Sequence, residues 1–164
     1  YTYTVSLAAA EDPGYTVSED GKTYTVYNAN GLLAWNEAVQ KDMTLNCTLT
    51  ADITLPAVAD GESNWTPMGT DYDPYNPYTG TFDGDGHTIT GLTINLPNQW
   101  CVGLIGCLGG KVQNLTLAGA KINGSYYVGG VVGWNYYGTV TACYHVNGNV
   151  TATGNWVGLS LIHI

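Results

Sequence analysis

Two short acidic clusters contain the residue types that could bind a metal ion. Asp71, Asp73 and Asn76 lie in a stretch rich in tyrosine and proline, and Asp83 and Asp85 alternate with glycines soon after it. Carboxylate and amide oxygens are the ligands that Ca²⁺ prefers, so both clusters are candidate calcium sites. Neither has the full spacing of an EF-hand loop. Tight turns also require aspartate and glycine, so turn formation is the alternative interpretation. The sequence indicates no other cofactor.

The second cluster could also supply acid–base groups. Asp83, Asp85 and His87 are close in sequence, and paired carboxylates catalyse glycoside hydrolysis. However, all 13 acidic residues lie between Glu11 and Asp85, and the chain contains no arginine. The His-Glu-x-x-His motif of zinc peptidases is also missing from the sequence. We therefore expect that this chain is not an enzyme by itself.

The carboxyl-terminal half contains many aromatic residues that could contact a ligand. We expect Trp134, Asn135, Tyr136 and Tyr137 to lie in a turn, where they are candidates for binding a glycan or a host surface protein. A second set has a structural interpretation, because its members occupy similar places in neighbouring sequence repeats. Its members are Trp100, Tyr127 and Trp156. We expect these three rings to form a stack, either inward or at a corner.

The composition indicates a folded protein and excludes some partners. Of 164 residues, 45% are hydrophobic and only 10% are charged, which is too apolar for a disordered chain. No apolar run approaches the roughly 20 residues of a membrane helix, so we expect no membrane insertion within the sequence. The absence of arginine and a pI near 4.3 argue against nucleic acid as a partner. The four scattered cysteines are interpreted as small core residues.

A glycine-aromatic phrase repeats along the chain. Residues 126–133 resemble residues 100–106, and a third copy begins at Trp156. Val102 and Val128 are 26 positions apart, and Val128 and Val157 are 29 apart. Such a period is typical of one supersecondary unit stacked on its neighbours. We therefore predict an all-β fold in which parallel strands stack coil on coil as a β-solenoid. A β-sandwich is the main structural alternative.

Elements before the repeats would position and close this stack. Residues 15–27 alternate around an Asp-Gly turn, which predicts a hairpin. Asn30 is a plausible N-cap for a short helix over 31–40, whose apolar face carries Leu32, Trp35 and Val39. Residues 43–55 alternate as one strand, and strands are also expected at 112–117 and 140–146. The hairpin and helix would cap the open end of the solenoid.

The domain boundaries follow from these patterns. We expect a linker or the end of a preceding region at 1–14, a hairpin, capping helix and first strand at 15–55, and a connection rich in proline and tyrosine at 56–81. Solenoid repeats occupy 82–158. Residues 159–164 do not fit, because Leu161 stands where the repeats have glycine and the string resembles a translated sequencing adapter. We interpret them as a non-native tail on a metagenomic fragment.

Residues 127–144, Tyr-Val-Gly-Gly-Val-Val-Gly-Trp-Asn-Tyr-Tyr-Gly-Thr-Val-Thr-Ala-Cys-Tyr, resemble the GLUG repeat of bacterial surface proteins. Residues 78–92 resemble the segment that leads into such repeats, and the resemblance covers roughly residues 22–158. It implies a right-handed parallel β-helix on a large exported protein of gut-type bacteria. Members are often adhesin-like stalks, and some form the amino-terminal part of immunoglobulin-cleaving peptidases.

These observations favour a non-catalytic segment of a bacterial protein that is extracellular or on the cell surface. Its role would be adhesive, or that of a rigid spacer that presents other domains. Two alternatives remain, namely a fragment of a carbohydrate-active β-helix enzyme, such as a lyase or glycosidase, and the non-catalytic region of a surface peptidase. Carboxylates lining one face of further coils would favour the enzyme, whereas a downstream His-Glu-x-x-His would favour the peptidase.

Overall fold

A computed structural model describes residues 12–69 and 75–158 of the chain. The fold is all-β apart from one helix. Its strands, in chain order, are β1 (Tyr15–Val17), β2 (Thr23–Val26), β3 (Asn46–Leu49), β4 (Ile53–Thr54), β5 (Thr81–Asp83), β6 (Thr88–Thr90), β7 (Thr93–Asn95), β8 (Ile105–Leu108), β9 (Lys111–Ala118), β10 (Lys121–Gly124), β11 (Val128–Gly129), β12 (Val132–Asn135), β13 (Thr139–Val146), β14 (Asn149–Ala152) and β15 (Val157–Gly158). The helix, α1 (Ala29–Val39), lies between β2 and β3.

The amino-terminal elements form the predicted hairpin and helix. β1 pairs antiparallel with β2, with Tyr15 opposite Val26, which confirms the hairpin. The helix begins at its N-cap Asn28, whose side chain accepts a hydrogen bond from the backbone N–H of Gly31 at 3.0 Å. The predicted N-cap at Asn30 was therefore wrong by two positions. Gly31 must be glycine because a Cβ there would lie 2.0 Å from the Gly14 carbonyl oxygen.

From β2 onward, the strands pair in parallel. In the largest sheet, β2 pairs with β3, β3 with β5, β5 with β9 and β9 with β13. The shorter β4 pairs with β6, which also pairs with β9. Strands predicted at 112–117 and 140–146 are confirmed as β9 and β13. The single strand predicted at 43–55 is instead two strands, β3 and β4, with Thr50–Asp52 between them.

The remaining strands form three smaller sheets. β7, β10 and β14 pair in parallel, with Ile94, Ile122 and Val150 in register. β8 pairs with β12, and β11 pairs with β15. The spacing of these strands is regular. A row of hydrogen-bonded side chains runs across them, and its neighbours are 28 positions apart in the sequence, namely Asn95, Asn123 and Thr151. Alternation along each strand turns one side chain inward and the next outward.

Apolar side chains stack in a continuous core between the sheets. Phe82 pairs with Val112 in register, and Val112 pairs with Val140; Phe82 and Val112 are fully buried. Residues 56–81 also contribute to this core through Trp65, Met68 and Tyr78. Isolated bridges link Met68 to Ile105 and Tyr78 to Leu108. The described parts of this connection, 56–69 and 75–81, are therefore a layer of the core, and they contain no strand before Thr81.

The helix packs against one end of this core through Trp35. This side chain is fully buried, and its ring centroid lies 5.2 Å from that of Phe82 and 6.1 Å from that of Tyr78. Leu32 and Val39 are buried on the same face, which confirms the predicted apolar face. Asn36 Nδ2 donates to the Thr66 carbonyl oxygen at 2.9 Å and its Oδ1 accepts from Thr66 N at 3.1 Å. The helix is thereby fixed to the 56–81 segment.

Close contact between layers depends on glycine at a few positions. Gly110 N donates to the Tyr78 carbonyl oxygen at 2.8 Å, and Lys111 N donates to the Gly80 carbonyl oxygen at 2.9 Å. A Cβ on Gly110 would lie 2.2 Å from the Gly80 oxygen and 2.5 Å from the Thr79 carbonyl carbon. Because these neighbours are backbone atoms, they cannot rotate away. Gly110 therefore allows two layers to come into hydrogen-bonding distance.

Candidate functional site

A group of aromatic side chains forms a connected series of ring contacts at the surface of the protein. We call it the aromatic column, and it consists of Tyr75, Trp100, Tyr126, Tyr127, Trp134, Tyr136, Tyr137 and Trp156. Each member has its ring centroid within 6.5 Å of another member. The column therefore presents one continuous aromatic surface rather than scattered rings.

The centre of the column is Tyr127. Its ring stacks on Trp156 at 5.0 Å with an interplanar angle of 9°, and on Trp134 at 5.5 Å with an angle of 22°. Trp100 contacts Tyr127 at 6.4 Å in an edge-on arrangement. The prediction of a stack is thus confirmed for Tyr127 and Trp156 and wrong for Trp100, which meets Tyr127 edge-on. The rings lie at the surface, because Trp100 is 50% and Trp156 65% exposed.

The sequence analysis placed Trp100 at the same repeat position as Tyr127 and Trp156, and this alignment was wrong by one residue. The residues that share a positive φ just before the repeated valine are Cys101 at 55°, Tyr127 at 52° and Trp156 at 63°. Trp100 therefore corresponds to Tyr126, and their ring centroids lie 5.0 Å apart. Cys101 is buried at the position equivalent to Tyr127 and Trp156.

The four predicted binding residues lie at the carboxyl-terminal end of β12. Trp134 and Asn135 belong to this strand, so the prediction of a turn was wrong for these two, while Tyr136 and Tyr137 follow it in a bend. Trp134 contacts Tyr136 at 5.3 Å, and Tyr136 contacts Tyr137 at 4.6 Å. Tyr137 is 90% exposed. The structure therefore brings Trp134, Tyr136 and Tyr137 together on an accessible surface beside the exposed Asn135.

Sequence reasoning missed Tyr75. Its ring lies 5.0 Å from that of Tyr136, and its side chain is 42% exposed. The residue belongs to the 56–81 segment, 61 positions before Tyr136 in a stretch without the repeated phrase. No sequence pattern linked it to the repeats. The signal that could have found it is the density of tyrosines in 72–78, which is high for a loop.

Seven of the eight members of the aromatic column, all except Tyr75, come from a stretch of the sequence without acidic residues. From Gly86 to Gly158 the sequence contains no aspartate or glutamate, and its basic side chains are Lys111, Lys121 and two histidines. Aromatic rings of this kind can stack on neutral sugar rings or be buried against apolar side chains of a partner.

The second candidate calcium cluster contains Asp83 and Asp85, and the structure shows the hydrogen bonds of Asp83. Asp83 accepts hydrogen bonds from Asp85 N at 2.9 Å, Gln113 Nε2 at 2.6 Å and Asn114 Nδ2 at 3.1 Å. Partial burial raises the pKa of this carboxyl, but the hydrogen bonds outweigh burial and the net shift is downward. Asp85 has φ of 49° and is exposed. This arrangement is that of a hydrogen-bonded turn.

The prediction for the first candidate calcium cluster falls largely outside the described residues. Asn76 is exposed, and Asp71 and Asp73 lie outside the described residues. Within 12–69 and 75–158, no group of three or more histidine, cysteine, aspartate or glutamate side chains is placed to hold a metal ion. His87 contacts Asp52, with Nδ1 and Oδ1 3.2 Å apart. The structure therefore pairs His87 with Asp52 rather than with Asp83.

The four cysteines line the interior, as the sequence predicted. All four are buried, and none forms a disulfide. Burial raises the pKa of the Cys47 thiol well above its ordinary value and raises that of Cys143 as well. Such thiols are poor nucleophiles because the thiolate is the reactive form. The cysteines therefore act as packing residues.

A polar groove, which the sequence did not indicate, lies on the outer face of β7, β10 and β14. It has a volume of about 660 Å³, and one wall is the loop 56–62. The floor contains outward side chains from three successive strands, namely Thr93, Asn95, Lys121, Asn123, Asn149 and Thr151. These polar residues recur every 28 positions, which is visible in the sequence. The sequence alone does not give the strand register, so it did not indicate that they lie on the same face of one sheet.

No protein-family model matches the chain. Halomucin of Haloquadratum walsbyi is 35% identical over 134 residues, which is 73% of this chain and 1% of halomucin. A protein of Evansella cellulosilytica named "Putative Gly-rich membrane protein" is 36% identical over 97 residues, which is 56% of this chain and 11% of that protein. The chain thus spans only a small part of the length of these relatives.

A solved structure shares the fold. The crystal structure of "a putative immunoglobulin A1 protease from Bacteroides ovatus" matches with a TM-score of 0.55 and 22% identity. The match covers 82% of this chain and 40% of the other chain. In the described part of this chain, no helix has the length and apolar character needed to cross a bilayer. The chain is therefore similar to short stretches of two much longer proteins and folds like part of a third.

Proposed function

We propose that this chain is a segment of a bacterial extracellular or cell-surface protein, built as a right-handed parallel β-helix with GLUG-type repeats over residues 82–158. Its role is adhesive, and the aromatic column is its contact surface for a glycan or a host surface protein. The similarity to halomucin and to a Gly-rich membrane protein supports a surface location. The segment itself is non-catalytic in this proposal.

The parallel registers support the solenoid. In β7, β10 and β14, Ile94, Ile122 and Val150 stack in one row, and 28 positions separate hydrogen-bonded partners in the adjacent row. β9 and β13 pair in parallel along seven residue pairs with a comparable offset. A chain that pairs with itself in parallel at a constant offset must wind around one axis. Repeats of this kind give a stiff rod, which suits a protein that projects from a cell.

The observation that carries the adhesive role is the exposure of connected aromatic rings. Large aromatic side chains are usually buried, and a contiguous exposed group marks an interaction surface. Tyr137 is 90%, Trp156 65% and Trp100 50% exposed, although each contacts another ring of the column. These contacts hold the rings in place before binding, so a partner immobilises few additional side chains.

A glycan-array experiment tests the proposal. The chain is compared with the triple variant in which Trp134, Tyr136 and Tyr137 are changed to alanine. We expect the chain to bind at least one glycan class and the variant to lose that signal, because stacking on rings is removed. A matched control changes two exposed threonines of β13, Thr139 and Thr141, to alanine. Equal binding by the chain and the aromatic variant would refute glycan binding by the column.

The same pair of proteins tests binding to a host surface. Fluorescently labelled chain is incubated with epithelial cells before and after enzymatic removal of surface glycans. Binding that persists after deglycosylation and requires the three aromatic residues would assign a protein partner. Binding that the aromatic variant retains in full would remove the column from the adhesive surface and leave the spacer role.

A second candidate role is the non-catalytic region of a surface peptidase. The Bacteroides ovatus structure, which has the same fold over 82% of this chain, motivates it through its name. The discriminating observation is the longer gene from which the sequence comes. A His-Glu-x-x-His motif encoded downstream in the same reading frame would favour the peptidase, and its absence from the complete gene would argue against it.

A further inference from the structure

The polar groove has a rigid wall. Asn95 Nδ2 donates to the Gly61 carbonyl oxygen at 2.8 Å, and Asn95 N donates to Ser63 Oγ at 2.8 Å. At the other end of the loop, Asn64 Nδ2 donates to the carbonyl oxygens of Pro56 and Gly91, both at 2.9 Å. The loop 56–62 is therefore held at both ends against β7 and the turn before it. A ligand would meet a preformed cleft of a size typical of ligand sites.

The floor presents both hydrogen-bond donors and acceptors. Asn123 Nδ2 donates to Asn95 Oδ1 at 2.8 Å, and Thr151 Oγ1 donates to Asn123 Oδ1 at 3.1 Å. This row aligns three polar side chains, one from each of three strands. The second amide hydrogen of Asn123 and an acceptor site on Thr151 are not used within the row. Asn149, in the neighbouring row, makes no side-chain hydrogen bond in the described part of the chain. These groups are spaced by the coil repeat and remain available to a ligand.

The chemistry of the floor selects against several ligand classes. An apolar ligand would leave these amides and hydroxyls without partners, which is unfavourable. An anionic polymer would meet one cation, Lys121, together with the exposed Asp60 and Glu62 of the wall. A neutral molecule with many hydroxyl groups matches the mixed donors and acceptors and tolerates this weak charge. A saccharide chain has this chemistry.

The groove leads toward the aromatic column. A second depression of about 660 Å³ shares Asn95 with the groove and is lined by Leu96, Pro97, Asn98, Gln99 and Trp100. In the next coil, Tyr126 lies three residues after Asn123, a distance of at most about 11 Å along the chain. A ligand that extends from the floor along this direction reaches an aromatic ring on which a sugar can stack.

We propose that this groove is a binding site for a neutral oligosaccharide that lies across β7, β10 and β14, with its hydroxyls on Asn123, Asn149 and Thr151. The site is distinct from the Trp134, Tyr136 and Tyr137 surface. It rests on the polar floor and its fixed wall, and does not require that the aromatic surface binds a glycan.

Isothermal titration calorimetry with defined hexasaccharides tests this site. The ligands are cellohexaose, mannohexaose and, as the anionic probe, hexagalacturonate. The double variant Asn149→Ala/Thr151→Val removes exposed polar groups from the floor, and the matched control Thr139→Val/Thr141→Val changes two exposed threonines of β13 in the same coil. We expect a neutral hexasaccharide to bind, with affinity reduced about fivefold to tenfold by the groove variant and less than about twofold by the control.

Several results would overturn the proposal. They are binding of neither neutral hexasaccharide, equal affinities of the groove and control variants, or tighter binding of hexagalacturonate than of both neutral ligands. The triple aromatic variant separates this site from the aromatic surface. Retained hexasaccharide binding by that variant supports an independent groove. Complete loss in that variant, together with unchanged binding in the groove variant, would assign all binding to the aromatic column.

Discussion

Substitution of Gly110 by alanine tests the close contact between the Gly110 backbone and residues 78–80 directly. The added Cβ would lie 2.2 Å from the Gly80 oxygen, whereas ordinary van der Waals contact begins at 3.4 Å. The two layers must therefore move apart by about 1.2 Å, which stretches the hydrogen bonds from Gly110 N and Lys111 N to the layer below. Overpacking costs about 1–3 kcal/mol, and two weakened backbone bonds add about 0.5–1.5 kcal/mol each. We expect the variant to lose about 3–5 kcal/mol.

Urea unfolding followed by tryptophan fluorescence measures this loss as a change in the free energy of unfolding. Gly119→Ala is the control, because a Cβ at Gly119 meets no atom within 4 Å and its φ is 63°. Its cost is the strain of a left-handed residue, about 1–2 kcal/mol, partly offset by a stiffer unfolded chain. We expect a loss of about 1 kcal/mol. If Gly110→Ala were no more destabilising than Gly119→Ala, tight contact between the layers would be refuted.

Three further predictions concern the core, a surface ion pair and the thiols. Trp35→Ala should lower the free energy of unfolding by about 3–5 kcal/mol, because it leaves a cavity in the core. Trp35→Phe should cost clearly less, because phenylalanine keeps an aromatic ring and removes a buried indole N–H that has no partner. Equal losses for the two variants in urea titrations would contradict this. Hydrogen bonds from Lys22 and from the hydroxyl and backbone N–H of Thr44 lower the pKa of Asp42 from 3.8 to about 2. These contacts therefore stabilise the fold above pH 3.8, and their contribution disappears as the pH falls to about 2. The stability advantage over Asp42→Asn should shrink across this range in thermal melts, and a constant difference would argue against these contacts. Ellman's reagent should label no cysteine in the native protein and four after denaturation, and rapid native labelling would show that the thiols are accessible.

Strand stacking could be predicted because it depends on local alternation. Val112 and Val140 occupy the same place in two similar segments, and their pairing in register follows from burying the same face of each strand. The apolar face of the helix was equally visible, because Leu32, Trp35 and Val39 recur at helical spacing. In both cases, neighbours along the chain contain the necessary information.

The N-cap could not be predicted in the same way. Asn28 and Asn30 are both acceptable caps by residue type. The choice depends on Gly14, which packs against Gly31 and whose carbonyl oxygen accepts a hydrogen bond from Tyr27 N at 3.0 Å. This contact joins Gly14, before β1, to Gly31 in the helix, and the sequence around either residue does not predict it.

The candidate sites likewise combine features that local sequence predicts with features that depend on distant segments. The aromatic phrase located most of the column, but unequal spacings of 26 and 29 residues allowed Trp100 to be aligned one position away from its true equivalent. The polar groove needed the register of three strands and the fold of the 56–62 loop together. Distant segments determine both features, so single-sequence patterns predict their residues but not their assembly.

The antiparallel hairpin of β1 and β2 makes the two edges of the largest sheet different. β1 reverses the chain against β2, so it occupies the edge where another parallel layer would otherwise pair. At the opposite side, within the described residues, β13 pairs with β9 alone and offers its other edge as a template. During synthesis, the hairpin is made before the parallel strands of this sheet, so each of those strands can pair with a neighbour that is already made. The order of translation therefore matches the order in which β1, β2, β3, β5, β9 and β13 pair in the sheet.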